Sequence, residues 1–322
     1  MGASVIEPEL KALLGEIDDV DVVYDAEFGA MTTYRVGGSC AAMITAKSSA
    51  GLGKLLGLIA PRPIYVLGNG SNTLVADRGW DGVVLRLAEE FEQIEISNGL
   101  VRLGAAVSLP IAARRLAAAG VGGMEWAVGI PGTIGGAIKM NAGGHGSDTA
   151  TWLETAELYR FSDGRYRLQD VTKDGLALRY RASNVGDLDV VTSATFALTS
   201  RESSELKQKI NDIVGWRREH QPGGQNAGSV FVNPAQDYSA RLIESIGMKG
   251  FRLGTAEVSS RHANFIQADP GGSGDDVFEL IWMVQQRVEK ELGIRLRTEI
   301  RLMGFDPERS RYLKGDLSDD SH

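Results

Sequence analysis

The 322-residue sequence predicts an α+β fold of two or three modest domains. Three observations point there. Helical and strand-like runs mix without the regular alternation of a parallel α/β sheet. Strand-like runs meet at the two-residue turn signals Asn98-Gly99 and Asp163-Gly164, which close antiparallel hairpins. The chain also changes character at Ser200, where a long charged helix begins.

The elements follow in order. Residues 5–30 are weakly patterned, with a short helix expected around Glu9 to Gly15. After TTYRVGGSCAAMITA a helix is expected from Ser49 to Ala60, then an apolar strand in PIYVLGNGSNTLV that ends in a Gly-Asn-Gly-Ser-Asn turn. GVVLRL, Gly82 to Leu87, is a further strand, and QIEIS and LVRLG are the arms of the first hairpin. SLPIAARRLAAAG reads as a helix with Ser108 as N-cap, Pro110 in the first turn and Gly120 as its stop. AELYRF and GRYRL form the second hairpin, and DLDVVTSATFALT is a longer strand.

In ESSELKQKINDIVGWRREHQP, Leu206, Ile210, Ile213 and Val214 share one side of a helix, and a domain boundary is expected at Ser200. A helix from Tyr238 to Ile246 ends at Gly247, and GTAEVSSRHANFIQ suits a strand and its approach. DDVFELIWMVQQRVEKELG places Val277, Leu280, Ile281, Val284, Val288 and Leu292 at core spacing. In IRLRTEIRLMG, Ile294, Leu296, Thr298, Ile300 and Leu302 alternate with Arg295, Arg297, Glu299, Arg301 and Met303, as in a strand with two unlike faces. The segment after Phe305 is charged and poor in large aliphatics, and is expected to be disordered.

A net charge of −8 argues against a nucleic-acid partner, which calls for a basic footprint. An anionic small molecule needs locally clustered cations instead, and Arg217, Arg218, Lys249, Arg252 and Arg261 all fall in the last third of the chain. Cys40 is the single cysteine, so neither an intrachain disulfide nor a thiolate metal cluster is expected, and no metal ligand set is assigned. MGASVIEPEL lacks the pattern of a signal peptide, and no run reaches the roughly 18 apolar residues of a membrane span. A cytoplasmic protein is expected, with its oligomeric state open.

Glycine is the deviation, at 40 residues, and it concentrates in GNGSNT (68–73) and GIPGTIGG (129–136). Such loops cradle phosphate with backbone N–H groups or turn tight corners. Neither is a dinucleotide or P-loop fingerprint, since Thr73 stands where the third glycine of the first would fall and Gly136 is not followed by lysine.

TTYRVGG, YVLGNGSNTLV, GIPGTIGGAIKMNAGG, LRYRASN, NAGSVFVNP, AEVSSRHANFI and LRTEIRLMG, in that order, resemble the successive motifs of the UDP-N-acetylenolpyruvoylglucosamine reductase (UDP-N-acetylmuramate dehydrogenase, MurB) family over residues 30–304. The resemblance implies a vanillyl-alcohol-oxidase-type FAD-binding domain of two α+β subdomains and a C-terminal α+β substrate domain. On it, residues 1–30 are a lead-in, 31–200 the FAD-binding domain (subdomains near 31–88 and 89–200), 201–305 the substrate-binding domain and 306–322 the disordered tail. It implies NADPH-dependent reduction, through FAD, of the enolpyruvyl ether of a UDP-sugar in peptidoglycan precursor synthesis.

The resemblance further implies that FAD is held by Arg35, by Gly68, Asn69, Gly70, Ser71 and Asn72, by Gly129, Ile130, Pro131, Gly132, Thr133, Gly135 and Gly136, and by Asn141, Ala142 and Gly143. Arg181 would stabilise the enolate, Ser229 would deliver the proton and Glu299 would assist, while Asn233, His262 and Asn264 would contact substrate. Three positions depart from the family pattern: Val232 where lysine is usual, and His145 and Asp148 in place of an aromatic and a glutamate. The segment between Ser183 and Ser200 has no room for the tyrosine-bearing loop of the longer family type. The alternatives are a flavin-binding homologue that has lost the reaction and a flavin oxidase of the same fold.

Overall fold

The structure, a computed structural model, describes residues 6–97 and 99–315. Asn98 of the first hairpin signal and the tail past Gly315 lie outside the described residues. Contacts group the chain into two units, one of Met1–Ala26, Ala41–Asn69 and Gly82–Arg217, the other of Glu27–Cys40, Gly70–Asp81 and Arg218–His322.

The first unit holds two cores. One lies under a four-stranded sheet ordered Val20–Ala26, Cys40–Ala46, Trp80–Leu87, Ile64–Val66, against which the helix Ser49–Ile59 buries Leu52, Leu55, Leu56 and Ile59. That helix starts where Ser48 accepts the Gly51 N–H at 3.1 Å. The other lies against an antiparallel five-stranded sheet ordered Arg165–Thr172, Leu153–Ser162, Val190–Ala197, Leu100–Gly104, Ile94–Ser97. Asp163 and Gly164 turn its long hairpin with φ of 51° and 74°, the left-handed pair that a right-twisted hairpin needs. The helix Leu109–Ala118 packs on the same core. Ser108 occupies its N-cap but makes no side-chain cap bond, and instead bridges Thr133 of the second glycine loop.

The helix Ser203–His220 also belongs largely to this unit. Its Leu206, Ile210 and Ile213 are buried in the five-stranded core, so the contacts divide the chain at Arg217/Arg218, past the boundary expected at Ser200. The apolar stripe was visible in the sequence, whereas the core it fills was not.

The second unit has one core. An antiparallel sheet ordered Gln225–Asn226, Ile266–Ala268, Ala256–Val258, Arg252–Leu253 packs against the helix Gly274–Leu292, which begins at a Ser273 cap on the Asp276 N–H and ends at Gly293 with φ 68°. Of the six expected core residues five are buried, while Leu292, in the last turn before Gly293, is 39% exposed. Tyr34, Val36 and Leu74 join this core from earlier in the chain, and Thr73–Val75 pairs in parallel with Arg301–Met303.

The last strand is shorter than its alternation implied. Only Arg301–Met303 is a regular strand, yet Leu296, Thr298, Ile300 and Leu302 are all buried as the alternation requires. The preceding residues bond instead to Val230, Val232 and Leu313. The expected disordered tail is helical over Pro307–Lys314, with Asp306 capping the Arg309 N–H and Leu313 buried. No helix among the described residues is long and apolar enough to cross a membrane.

Candidate active site

In the first unit the two glycine loops lie against one another. Asn69 Nδ2 donates to the carbonyls of Pro131 and Gly132 at 3.1 and 3.2 Å. A Cβ on Gly68 would stand 2.4 Å from Thr133 Oγ1, so the loop–loop approach itself demands glycine there. Farther along, Arg217 Nη1 donates to the Gly129 carbonyl, and a Cβ on Gly129 would lie 3.1 Å from the His145 ring. His145 meets Trp216 edge to face at 5.3 Å between centroids. Burial, then the Arg217 charge, lowers the His145 pKa, which favours a neutral imidazole.

Residues 141–148 connect this loop to Arg181. Asn141 closes the helix Ile134–Met140 in the left-handed conformation (φ 40°). Its Nδ2 donates to Asp148 Oδ2 at 3.3 Å and to the Arg179 carbonyl at 3.1 Å, and its Oδ1 accepts the Ala150 N–H at 3.0 Å. Asp148 therefore serves as a cap, also accepting from Thr151 N at 3.0 Å. Arg179 and Ala182 exchange backbone hydrogen bonds of 2.8 and 3.1 Å around the tip Tyr180-Arg181. At that tip Arg181 has φ 56°, lies 5.6 Å from the Tyr180 ring centre and donates from Nη1 to the Gly143 carbonyl at 3.2 Å. Asn141, Gly143 and Arg181 are thus brought together, although 40 positions separate the first from the last in the sequence.

In the second unit the loop Gly70–Asn72 lies beside the residues around Glu299. Gly70 turns at φ 61°, where its carbonyl accepts the Thr33 N–H, and Arg35, also left-handed at φ 54°, is exposed two residues later. Asn72 Nδ2 donates to the Glu299 carbonyl at 2.8 Å. Ser229 and Glu299 sit on neighbouring segments: the Glu299 N–H donates to the Val230 carbonyl at 3.0 Å, and Thr298 Oγ1 donates to the same oxygen at 2.9 Å. Both residues are half-buried.

The three expected substrate contacts differ in character. Asn264 is 3% exposed and clasps Phe231, accepting its N–H at 2.9 Å and donating to its carbonyl at 2.8 Å. With one bond at each end of its amide, it ties the Ser229 segment to its own. Asn233 accepts the Ser239 N–H at 3.0 Å, which leaves its amide nitrogen for other work. His262 packs edge to face on Phe265 at 4.8 Å, and burial above all lowers its pKa. Sequence reasoning missed Thr298, Trp216 and Leu313 as supports. Their signals, a buried threonine in a strand-like run and apolar residues on charged helices, carry no distance information.

The residues fit a pyrophosphate-bearing cofactor. The side-chain amides of Asn69 and Asn72 are given to protein carbonyls, so the loops offer an anion backbone N–H groups and the hydroxyls of Ser71 and Thr133, with Gly136 exposed and nothing nearer than 3.7 Å to a Cβ placed there. Among the described residues no group of three His, Cys, Asp or Glu could hold a metal.

Comparison with known proteins gives two family matches. The model of the UDP-N-acetylenolpyruvoylglucosamine reductase C-terminal domain (MurB_C) matches residues 220–303, and that of an FAD binding domain matches residues 39–167. UDP-N-acetylenolpyruvoylglucosamine reductase 2 of Symbiobacterium thermophilum is 38% identical over 280 residues, 86% of this chain and 90% of that one. The Synechococcus sp. (strain WH7803) reductase is 40% identical over 287 residues, 87% of this chain and 92% of that one. The crystal structure of the Thermus caldophilus reductase superposes with a TM-score of 0.75 at 33% identity, covering 88% of this chain and 98% of that one.

Proposed function

Because the chain belongs to the UDP-N-acetylenolpyruvoylglucosamine reductase family, we propose that Arg181, Ser229 and Glu299 carry the reaction of that family here. The protein is an FAD-containing oxidoreductase with a FAD-binding domain of the vanillyl-alcohol-oxidase type. It uses NADPH to convert UDP-N-acetylglucosamine enolpyruvate to UDP-N-acetylmuramate in peptidoglycan precursor synthesis. FAD, when bound, supplies the hydride chemistry, and the protein supplies position and field.

Hydride addition to the terminal vinyl carbon drives negative charge onto the neighbouring carbon and its carboxylate. Arg181 meets that charge with a planar cationic fork, and it is held by the Gly143 carbonyl and the tight turn around it. Ser229 gives its hydroxyl proton to the carbanionic carbon, and water restores the proton to the serine. Glu299 supports the transfer from the adjacent segment. What supports the pairing of these two is the Glu299 N–H bond to the Val230 carbonyl, which fixes their backbones one residue out of register. The glycine loops at 68–72 and 129–136 hold the cofactor diphosphate, and Asn233 and His262 recognise the substrate. A cytoplasmic location is part of this reading, supported by the reaction's need for NADPH and a UDP-sugar.

The test separates the two half-reactions. Purified protein should be yellow, should bleach with NADPH, and should regain its colour on addition of the enolpyruvyl UDP-sugar. Ser229→Ala should bleach normally and regain colour about a hundredfold or more slowly. Normal colour recovery in Ser229→Ala overturns the assigned proton donor, and a protein that binds no flavin overturns the whole reading.

A further inference from the structure

The helix Pro307–Lys314 lies beyond the segment matched by the family model, which ends at residue 303. We infer that this helix is an intramolecular brace that positions the backbone carrying Ser229 and Glu299, with Arg309 and Leu313 as its positioning residues. The inference rests on the roles proposed for Ser229 and Glu299 and adds how they are held.

The helix is anchored along its length. Arg309 pairs with both oxygens of Glu279 at 2.6 and 2.8 Å while its guanidinium carbon lies 4.8 Å from the Phe278 ring centre and 4.6 Å from that of Trp282. A delocalised planar cation can be paired in its plane and stacked across it together, which a lysine ammonium cannot reproduce. One turn later, Tyr312 donates its hydroxyl to Glu289 at 2.8 Å, and Arg295, itself 2.8 Å from Glu289, lies 4.3 Å over the Tyr312 ring. Leu313 is fully buried in the core of the second unit.

The end of the helix then reaches the site. Carbonyls of a last helical turn have no partner within the helix. That of Leu313 accepts the Thr298 N–H at 2.8 Å. Thr298 is 7% exposed and passes the support on, donating through Oγ1 to the Val230 carbonyl at 2.9 Å and accepting the Ile300 N–H at 3.1 Å. Glu299 lies between these two anchored residues. A chain of hydrogen bonds therefore runs from Leu313 through Thr298 to Val230, the residue after Ser229. An anchor on Glu279 sets where Leu313 sits, and Leu313 sets the backbone of Thr298. The charged segment Pro307–Lys314 is in this way part of the support of the reaction.

The test uses full-length holoprotein carrying Arg309→Glu, Glu279→Arg or both, with Ser229→Ala alongside. In Arg309→Glu, amide hydrogen exchange at Thr298 and Glu299 should accelerate, colour recovery with the enolpyruvyl UDP-sugar should slow about tenfold or more, and bleaching by NADPH should stay within about twofold of the parent. The double variant should recover part of the loss, since the pair is re-formed with its charges exchanged while the stacking on Phe278 and Trp282 is not. Unchanged exchange and colour recovery in Arg309→Glu overturn the brace. So does a loss of flavin content, bleaching and colour recovery in equal proportion with exchange raised throughout the chain, because the helix would then serve stability alone. If Ser229→Ala recovers colour normally, the proton-donor assignment fails while the exchange rates still report on the brace.

Discussion

Replacing Asn264 isolates the clasp that holds the Ser229 segment. The side chain is 3% exposed, Phe231 is 1% exposed, and the two hydrogen bonds between them measure 2.9 and 2.8 Å. Asn264→Ala leaves a buried N–H and a buried carbonyl without their partner, at about 1–3 kcal/mol each, so a loss of about 2–6 kcal/mol is expected. For a unit of this size that corresponds to a fall of about 5–25 °C in the unfolding midpoint, read by tryptophan fluorescence or calorimetry. Asn264→Asp separates the two bonds. Its carboxylate keeps an acceptor for the Phe231 N–H but sets negative charge against the Phe231 carbonyl, which raises the carboxyl pKa in the folded state. A raised folded-state value gives stability below the unfolded value of about 3.9 that is lost as pH rises through the folded one. Asn264→Asp should therefore approach the parent in acid and fall behind it at neutral pH. A midpoint for Asn264→Ala within about 0.5 kcal/mol of the parent would refute the reasoning.

Three further outcomes are expected. Gly68→Ala drives a methyl to within 2.4 Å of Thr133 Oγ1 and should cost about 1–3 kcal/mol together with flavin retention, and Thr133→Ala in the same chain should restore part of both; a neutral single substitution would contradict the close loop approach. Ile210→Ala, from the helix Ser203–His220, should lose about 2–5 kcal/mol, and its loss should appear in the transition of the flavin-binding unit when flavin release is followed alongside unfolding. His145 has its pKa lowered by burial first and then by Arg217, so its contribution is present above the unfolded value of about 6.5 and is lost as pH falls through the folded one. His145→Phe should flatten the decline in unfolding midpoint between pH of about 7.5 and 5.5, and an unchanged slope would show that His145 does not set it.

Much of the local structure was legible because its causes lie within a few residues. Asp163-Gly164 turns the hairpin with the left-handed backbone that its residue types favour, and Ser48 and Ser273 cap the helices that follow them. The stripe in Gly274–Leu292 foretold five buried residues, and failed at Leu292 because a periodicity does not say where the opposing surface stops. The site was legible only as an ordered set of motifs. Nothing in NAGSVFVNP and LRTEIRLMG taken singly says that Val230 and Glu299 share a hydrogen bond across 69 positions.

What the amino-acid sequence determined by itself was the kind of each element, the turn chemistry between elements, and the family whose reaction the chain performs. Those follow from backbone preferences and side-chain spacing, which neighbours along the chain impose. Tertiary structure alone decided which core receives the helix Ser203–His220, that Leu296 to Leu302 bury alternate residues without a continuous ladder, and that the polar segment Pro307–Lys314 folds as a helix. In each case the deciding partner is remote in sequence: the five-stranded core for Leu206, Val230 for Glu299, Glu279 and the Phe278 and Trp282 rings for Arg309. Burial and pairing energies of that kind exist only once the chain has brought the partners together.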